Sequence, residues 1–132
     1  MPKQKEPREL PTILVADDDP EILKMVQAAL KPVAARLVTA LDGEQALSAL
    51  LTERPALVIL DVMMPKLSGW EVARYIREHD QGRRVKVLML TAIGEALNAA
   101  TSPVMGADAC LDKPFNFEEL ATQVRTLLGS DR

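Results

Sequence analysis

Four aspartates stand directly after apolar runs in this sequence, and carboxylates that meet can bind a metal ion. Asp17, Asp18 and Asp19 follow one run and Asp61 follows another. Carboxylates held close together repel and raise one another's pKa unless a cation neutralises them. Mg²⁺ is a hard cation that binds a few carboxylates and keeps positions free for phosphoryl oxygens. Mg²⁺ is therefore the cofactor that this pattern predicts.

Two further polar residues have side chains that suit a phosphoryl group beside such a metal. Thr91 and Lys113 each follow another apolar run. Thr91 offers a hydroxyl donor, and Lys113 offers a mobile positive charge. Together with the metal ion they would stabilise a phosphoryl group in transit. The residue types thus predict phosphoryl-transfer chemistry if the fold brings them together.

Each residue has a simpler explanation when it is taken alone. Asp61 could close a strand and start a turn toward Pro65, and the acidic triplet could cap a helix and face solvent. Thr91 could be a strand-end hydroxyl, and Lys113 an ordinary surface lysine. The coincidence of all these groups at strand ends favours a site over separate structural roles.

The elements that must position these residues are five strands that alternate with five helices. The strands are expected at residues 12–16, 36–40, 56–60, 85–90 and 107–111. This alternation predicts an α/β fold, a flavodoxin-like doubly wound parallel sheet in the order 2-1-3-4-5. The carboxyl ends of the strands then share one edge of the sheet. Asp17, Asp18 and Asp61 would flank the point where the strand order reverses, with Thr91 and Lys113 beside them.

The predicted helices have apolar stripes with recognisable ends. The first starts with Asp19 as cap and Pro20, and the second follows a turn at 42–43. The stripes of the second, third and last helices are Leu47, Leu50, Leu51; Val72, Ala73, Ile76; and Phe117, Leu120, Val124, Leu127, Leu128. The remaining helix, at 95–105, contains Pro103, which predicts a short or kinked helix.

Length and charge describe one globular domain without a basic surface. The chain has 132 residues, 27% of them charged, and a net charge of -3. No nucleic-acid partner is expected, because no basic surface is available for a phosphate backbone. The apolar runs are too short to cross a bilayer, so no membrane partner is expected either. One cysteine and no signal peptide predict a cytoplasmic location.

The ends of the chain differ in composition from the rest. Residues 1–11 are polar, carry three prolines and predict a disordered leader. The domain is expected at 12–129, with a tail at 130–132. Because no effector domain follows Arg132, we expect a stand-alone domain whose output is binding to another protein.

Five motifs in these positions together resemble one protein family. They are the runs 13–20 and 60–65 with Gly69, then Leu90-Thr91-Ala92, Gly106-Ala107-Asp108 and Lys113-Pro114-Phe115. In combination they resemble the receiver domain of bacterial two-component response regulators. The resemblance covers nearly the whole chain, from Thr12 to Leu128.

The resemblance implies a role for each candidate site residue. Asp61 would accept a phosphoryl group from a sensor histidine kinase or a phosphotransfer protein. Mg²⁺ would be held by Asp17, Asp18, Asp61 and the backbone carbonyl of Met63. Thr91 would be the switch hydroxyl that turns toward the acyl phosphate, and Lys113 would pair with the phosphoryl oxygens. The bond before Pro114 would be cis. An unknown downstream protein would read the surface of the helix at 95–105, the fifth strand and the last helix.

Two departures from the family pattern affect the expected behaviour. Cys110 stands where the family usually has an aromatic residue that swings inward, so the usual readout is in doubt. We expect Cys110 to pack as a small apolar residue. Met63 and Ile93 occupy the positions that tune hydrolysis of the phosphorylated aspartate. Both are bulky and apolar, and we expect them to hinder the attacking water and lengthen the life of the aspartyl phosphate.

Three alternatives to the phosphorylation switch remain open at this point. A Mg²⁺-dependent aspartyl-phosphate phosphohydrolase would usually need an acid at position 63 and a cap, which this length does not allow. A flavin-binding domain would need a phosphate cradle after the first strand, where the aspartates would repel the ligand. A pseudo-receiver would fold in the same way and bind partners without being phosphorylated.

Overall fold

The computed structural model describes residues 10–80, 85–91 and 106–129, and these form a sheet with helices on both sides. Its elements in chain order are β1 (Thr12–Ala16), α1 (Pro20–Ala29), β2 (Arg36–Ala40), α2 (Gly43–Glu53), β3 (Leu57–Asp61), α3 (Gly69–His79), β4 (Lys86–Thr91), β5 (Ala109–Asp112) and α4 (Phe117–Gly129). The helix predicted at 95–105, with Pro103, lies outside the described residues. So do Ile93, residues 1–9 of the predicted leader and the predicted tail.

The five strands are all parallel and lie in the order β2-β1-β3-β4-β5. This confirms the doubly wound, flavodoxin-like order that the alternation of elements predicts. The pairing brings Asp61 opposite Leu90, and Thr91 opposite Asp112. The order reverses between β1 and β3, so the crevice for a ligand opens at the carboxyl ends of these two strands.

Two apolar clusters, one on each face of the sheet, hold the helices in place. Buried residues of α1 and α4, such as Val26 and Leu120, pack with alternate strand residues such as Ile59. Buried residues of α2 and α3, such as Ile76, pack on the other face with Leu60. Strand residues are apolar on both faces because helices cover both.

The loops at the carboxyl edge lead directly into helices that begin with side-chain caps. Asp19 accepts from the backbone N–H of Glu21, as predicted for the start of α1. Ser68 and Glu71 form a capping box at the start of α3. Asp42 caps α2, so the predicted turn at 42–43 is instead a helix start, because the Asp42 carboxylate accepts a hydrogen bond from the backbone N–H of Gln45.

Two residues assigned to apolar helix faces are exposed instead. Leu51 is 63% exposed because it lies about 100° around the helix from Leu50, which packs against the sheet. Phe117, the first residue of α4, is 47% exposed, and Phe115 in the preceding turn is buried in the core. Among the described helices, none is long and apolar enough to span a membrane.

Candidate functional site

The candidate residues lie at the carboxyl edge of the sheet, where four neighbouring strands end. Asp17 directly follows β1, and Asp61 is the last residue of β3. Thr91 is the last residue of β4, and Lys113 directly follows β5. Asp17, Asp61 and Thr91 are reached from buried apolar strands, and Lys113 from the half-buried strand β5, whose register with β4 is fixed by pairing.

Three of the aspartates form a cluster that could hold a metal ion. Carboxylate oxygens of Asp17, Asp18 and Asp61 lie within 4.8 Å of one another. Asp17 and Asp61 are buried, whereas Asp18 is exposed. Asp19 has a different role, since its carboxylate caps α1. The acidic triplet therefore divides into two residues of the site and one helix cap.

The ammonium group of Lys113 bridges the two buried carboxylates of the cluster. Its Nζ lies 2.9 Å from Asp61 Oδ1 and 3.1 Å from Asp17 Oδ2. Burial favours the neutral amine, but the hydrogen bonds to Asp61 and Asp17 outweigh it and raise the pKa of Lys113. Lys113 is thus held charged at this point. The Lys113-Pro114 bond is cis, in agreement with the resemblance.

Asp17 is fully buried, and some of its surroundings raise the pKa of its carboxyl group while others lower it. Burial raises the pKa of Asp17 above its ordinary value, and the nearby charge of Asp61 acts in the same direction. The backbone N–H of Asp19 donates to Asp17 Oδ1 over 2.9 Å, and this bond and Lys113 partly offset the effect. A further cation at the cluster would favour the ionised form of this carboxyl.

Thr91 lies at the carboxyl end of β4 beside the site, but its hydroxyl forms a hydrogen bond with a residue outside the carboxylate cluster. Its Oγ1 donates to Asp112 Oδ1 over 2.8 Å, and the residue is 1% exposed. Asp112 is not among the site residues that the sequence predicts. Its position next to Lys113 at a strand end was visible, but pairing with Thr91 depends on the register between β4 and β5.

The loop after Asp61 approaches the strand end closely. Gly69 at the start of α3 lies where an added Cβ would overlap the Asp61 carbonyl oxygen, so a side chain there would push the loop away. Met63, two residues after Asp61, is 76% exposed. The role of its backbone carbonyl as a metal ligand stays a prediction.

Cys110 lies two positions before Asp112, the last residue of β5, on the face of the sheet that also carries Thr91. It is half-buried and packs against the cluster that contains Met89, as expected for a small apolar residue. Burial raises the pKa of the Cys110 thiol, and the charge of Asp112 adds to this effect. A thiol held protonated in this way is a weak nucleophile.

Comparison with models of protein families assigns this chain to a family. A family model described as "Response regulator receiver domain" matches residues 13–125, most of the chain. This chain belongs to the response regulator receiver domain family. The resemblance stated from the motifs is therefore confirmed, and phosphorylation and Mg²⁺ binding are general features of the family.

Named relatives of this receiver domain are regulators of transcription. The chain is 40% identical over 116 residues to a "Probable transcriptional regulator ycf27" of Cyanophora paradoxa, covering 88% of this chain and 47% of that protein. It is also 40% identical over 116 residues to the "Alkaline phosphatase synthesis transcriptional regulatory protein PhoP" of Bacillus subtilis, covering 88% and 48%. The chain thus spans about half the length of the curated relatives it matches.

A solved structure shares the fold over nearly its whole length. The receiver domain of the Francisella response regulator 1452 has a TM-score of 0.82 and 29% sequence identity. The match covers 92% of this chain and 99% of that one. Both the fold and the family are therefore shown by comparisons that agree.

The donor set of the cluster fits a magnesium ion. The three neighbouring side chains offer carboxylate oxygens, the hard ligands that Mg²⁺ prefers. An exposed residue, Asp18, opens the cluster toward solvent. The opening leaves room for the waters that Mg²⁺ retains.

Proposed function

We propose that Asp61 is the phosphoacceptor of this receiver domain. A carboxylate oxygen of Asp61 attacks the phosphorus of a phosphohistidine on a sensor histidine kinase or a phosphotransfer protein. The new O–P bond forms as the P–N bond breaks. The imidazole leaves with the electron pair of that bond and takes up a proton as needed. The product is an aspartyl phosphate on this chain.

The observation that carries this proposal is the contact of one ammonium group with two buried carboxylates. Lys113 Nζ reaches Asp61 at 2.9 Å and Asp17 at 3.1 Å. A cation in this place neutralises the phosphoryl oxygens that arrive beside Asp61. Thr91, one residue beyond the partner of Asp61 in β4, supplies a hydroxyl for the same oxygens once it turns toward them.

The proposed metal ligands are Asp17, Asp18 and Asp61, with the backbone carbonyl of Met63 as the fourth. Their support is the closeness of the carboxylate oxygens and the raised pKa of Asp17. When bound, Mg²⁺ supplies positive charge that offsets the repulsion between these carboxylates and an incoming phosphoryl group.

We propose that the output of the phosphorylated chain is a protein–protein interaction. The added charge at Asp61 shifts an existing equilibrium between two arrangements of the surface that includes β5 and α4. The downstream partner would read this surface together with residues 95–105. Two further points stay predictions: that this chain acts as a single domain, and that it contacts no nucleic acid. The relatives named as transcriptional regulators are about twice as long as this chain.

A pseudo-receiver is the second candidate, since Cys110 replaces the usual aromatic residue. The phosphohydrolase is disfavoured by Met63, because a thioether cannot act as the second catalytic acid. We therefore propose that the chemistry of this chain is limited to its own phosphorylation and dephosphorylation.

Intact-mass measurement after incubation with acetyl phosphate and Mg²⁺ tests the proposal. We expect one phosphoryl adduct on the wild type, formed as the O–P bond to Asp61 replaces the bond to acetate. The adduct should be absent from Asp61→Asn and after chelation of Mg²⁺. Asp42→Asn is the matched control, because asparagine also caps helices and Asp42 lies outside the carboxylate cluster. An unlabelled wild type would favour the pseudo-receiver.

A further inference from the structure

The Thr91 hydroxyl is held by a carboxylate that has no role in the proposed phosphoryl transfer. Thr91 Oγ1 donates to Asp112 Oδ1 over 2.8 Å. Thr91 is 1% exposed, so water competes poorly for this bond from its side. A hydroxyl has one proton to donate. Thr91 therefore cannot donate to Asp112 and to a phosphoryl oxygen on Asp61 at the same time.

The backbone brings the two residues together as the last pair of β4 and β5. Thr91 and Asp112 are partners in the parallel register, and paired side chains leave the sheet on the same face. The N–H of Lys113 donates to the Thr91 carbonyl over 2.7 Å, which anchors the strand end just beyond the pair. Asp112 thus holds Thr91, while its neighbour Lys113 holds Asp61.

We propose that Asp112 is a positioning residue that restrains the Thr91 hydroxyl and opposes its turn toward a phosphoryl group on Asp61. This rests on the proposed function, in which Thr91 is the switch hydroxyl. Only hydrogen bonds are exchanged, since the Thr91–Asp112 bond breaks and a bond from Thr91 to a phosphoryl oxygen forms. The restraint stabilises the unphosphorylated form, because the phosphorylated form must give it up.

A carboxylate so near the site also acts through its charge, and the two effects must be separated. The charge of Asp112 acts on the thiol of Cys110: burial is the main cause of the raised pKa of this thiol, and the charge of Asp112 adds to it. A negative charge near Asp61 would also repel an incoming phosphoryl donor. This field effect needs no hydrogen bond to Thr91, so it persists when the hydroxyl is removed.

The test is a double-mutant cycle on the rate of adduct formation with acetyl phosphate and Mg²⁺. Asp112→Ala removes the acceptor and the charge, whereas Asp112→Asn removes the charge and keeps an acceptor oxygen. Each is made in the wild type and in Thr91→Ala. We expect Asp112→Ala to raise the initial rate about three- to tenfold, the worth of one such hydrogen bond. Asp112→Asn should give less than half of that increase. In the Thr91→Ala background, Asp112→Ala should also give less than half of it, because only the effect of the charge remains there.

Three results would overturn the restraint. The first is an unchanged labelling rate in Asp112→Ala while the wild type is labelled. The second is an equal increase in the rate for Asp112→Ala and Asp112→Asn. The third is that Asp112→Ala raises the rate as much in the Thr91→Ala background as in the wild type. An unlabelled wild type would overturn the proposed function and the restraint with it. Thermal melting checks each variant, and Asp112→Leu, which also lacks an acceptor, repeats the cycle if Asp112→Ala melts early.

Discussion

Lys113 Nζ lies 2.9 Å from Asp61 Oδ1, although the two residues are 52 positions apart in the chain. The same nitrogen lies 3.1 Å from Asp17 Oδ2, across 96 positions. One cation thus ties the ends of β1, β3 and β5 together at the edge of the sheet. Its removal should therefore change both the stability of the domain and its chemistry.

Replacing Lys113 with methionine should destabilise the metal-free protein and slow its phosphorylation. The substitution keeps the apolar stem and leaves the buried carboxylates of Asp17 and Asp61 without this partner. We expect a loss of about 2 kcal/mol in the free energy of unfolding, the usual cost of unpaired buried polar groups. Urea unfolding in EDTA measures it. Mg²⁺ should recover part of the stability, and an equal loss with and without Mg²⁺ would contradict this account.

Replacing Asp17 with asparagine should stabilise the metal-free protein at neutral pH. The raised pKa of Asp17 means that its folded form binds a proton more readily than its unfolded form, so ionisation above this pKa costs stability. Asparagine avoids that cost, so we expect the variant to unfold at a higher urea concentration than the wild type. The gain should shrink as the pH falls through the raised pKa toward about pH 4, near the ordinary value of an aspartate. Urea unfolding in EDTA across this range measures it.

Magnesium provides the control for this substitution. Because Asp17 is a proposed ligand, Mg²⁺ should stabilise the wild type more than Asp17→Asn. A variant that gains as much stability from Mg²⁺ as the wild type does would contradict the role of Asp17 in the metal site.

Replacing Met63 with asparagine should shorten the life of the aspartyl phosphate. Met63 is 76% exposed, so the variant should fold as the wild type does. Asparagine can hydrogen-bond the attacking water, whereas the thioether only blocks its approach. We expect about tenfold faster loss of the phosphoryl group, or ~1.4 kcal/mol off the barrier. Intact mass over time after removal of acetyl phosphate measures it. The control is Leu41→Asn, at another exposed apolar residue of the same edge, and its decay should match the wild type.

Replacing Arg77 with methionine should destabilise the domain at the amino ends of β4 and β5, away from the candidate site. Its guanidinium donates to the carbonyls of Gly106 and Val85, both at 2.9 Å, and pairs with Asp108. The side chain is only 13% exposed, so its loss leaves several half-buried acceptors without this donor. We expect a loss of about 3 kcal/mol in the free energy of unfolding.

The matched control for Arg77 lies on the same helix. The side chain of Arg74 is 76% exposed and pairs only loosely with Glu78, at 3.6 Å. Arg74→Met should therefore change stability by no more than about 0.5 kcal/mol. Urea unfolding compares the two variants, and equal effects would show that the Arg77 contacts contribute little.

Local patterns in the sequence were sufficient to predict the elements and the edge where the site lies. The buried strand before Asp61 is a run of apolar residues too short for a helix, and Pro20 after an Asp cap marks a helix start. Strand and helix alternation then leaves a small set of topologies, because parallel crossovers are right-handed. The predicted order 2-1-3-4-5 is one of this small set, and the structure confirms it.

Assignments that depend on a single turn of helix or on one loop were less secure. The spacing of Phe117 with Leu120 predicts that Phe117 lies in the core, but Phe115 packs there instead. Spacing defines the phase of a helix, yet it does not tell where the helix starts relative to the sheet. The turn predicted at 42–43 failed for a related reason, since an Asp-Gly pair suits both a turn and a helix start.

The sequence by itself therefore determined which residues stand at the carboxyl ends of the strands, because strand periodicity and chain order are local properties. Only the tertiary structure decided their partners. It separated Asp19 from the carboxylate cluster, and it joined Thr91 to Asp112 and Lys113 to Asp61. Such pairs depend on the register between strands far apart in the chain, which the packing of the whole core sets.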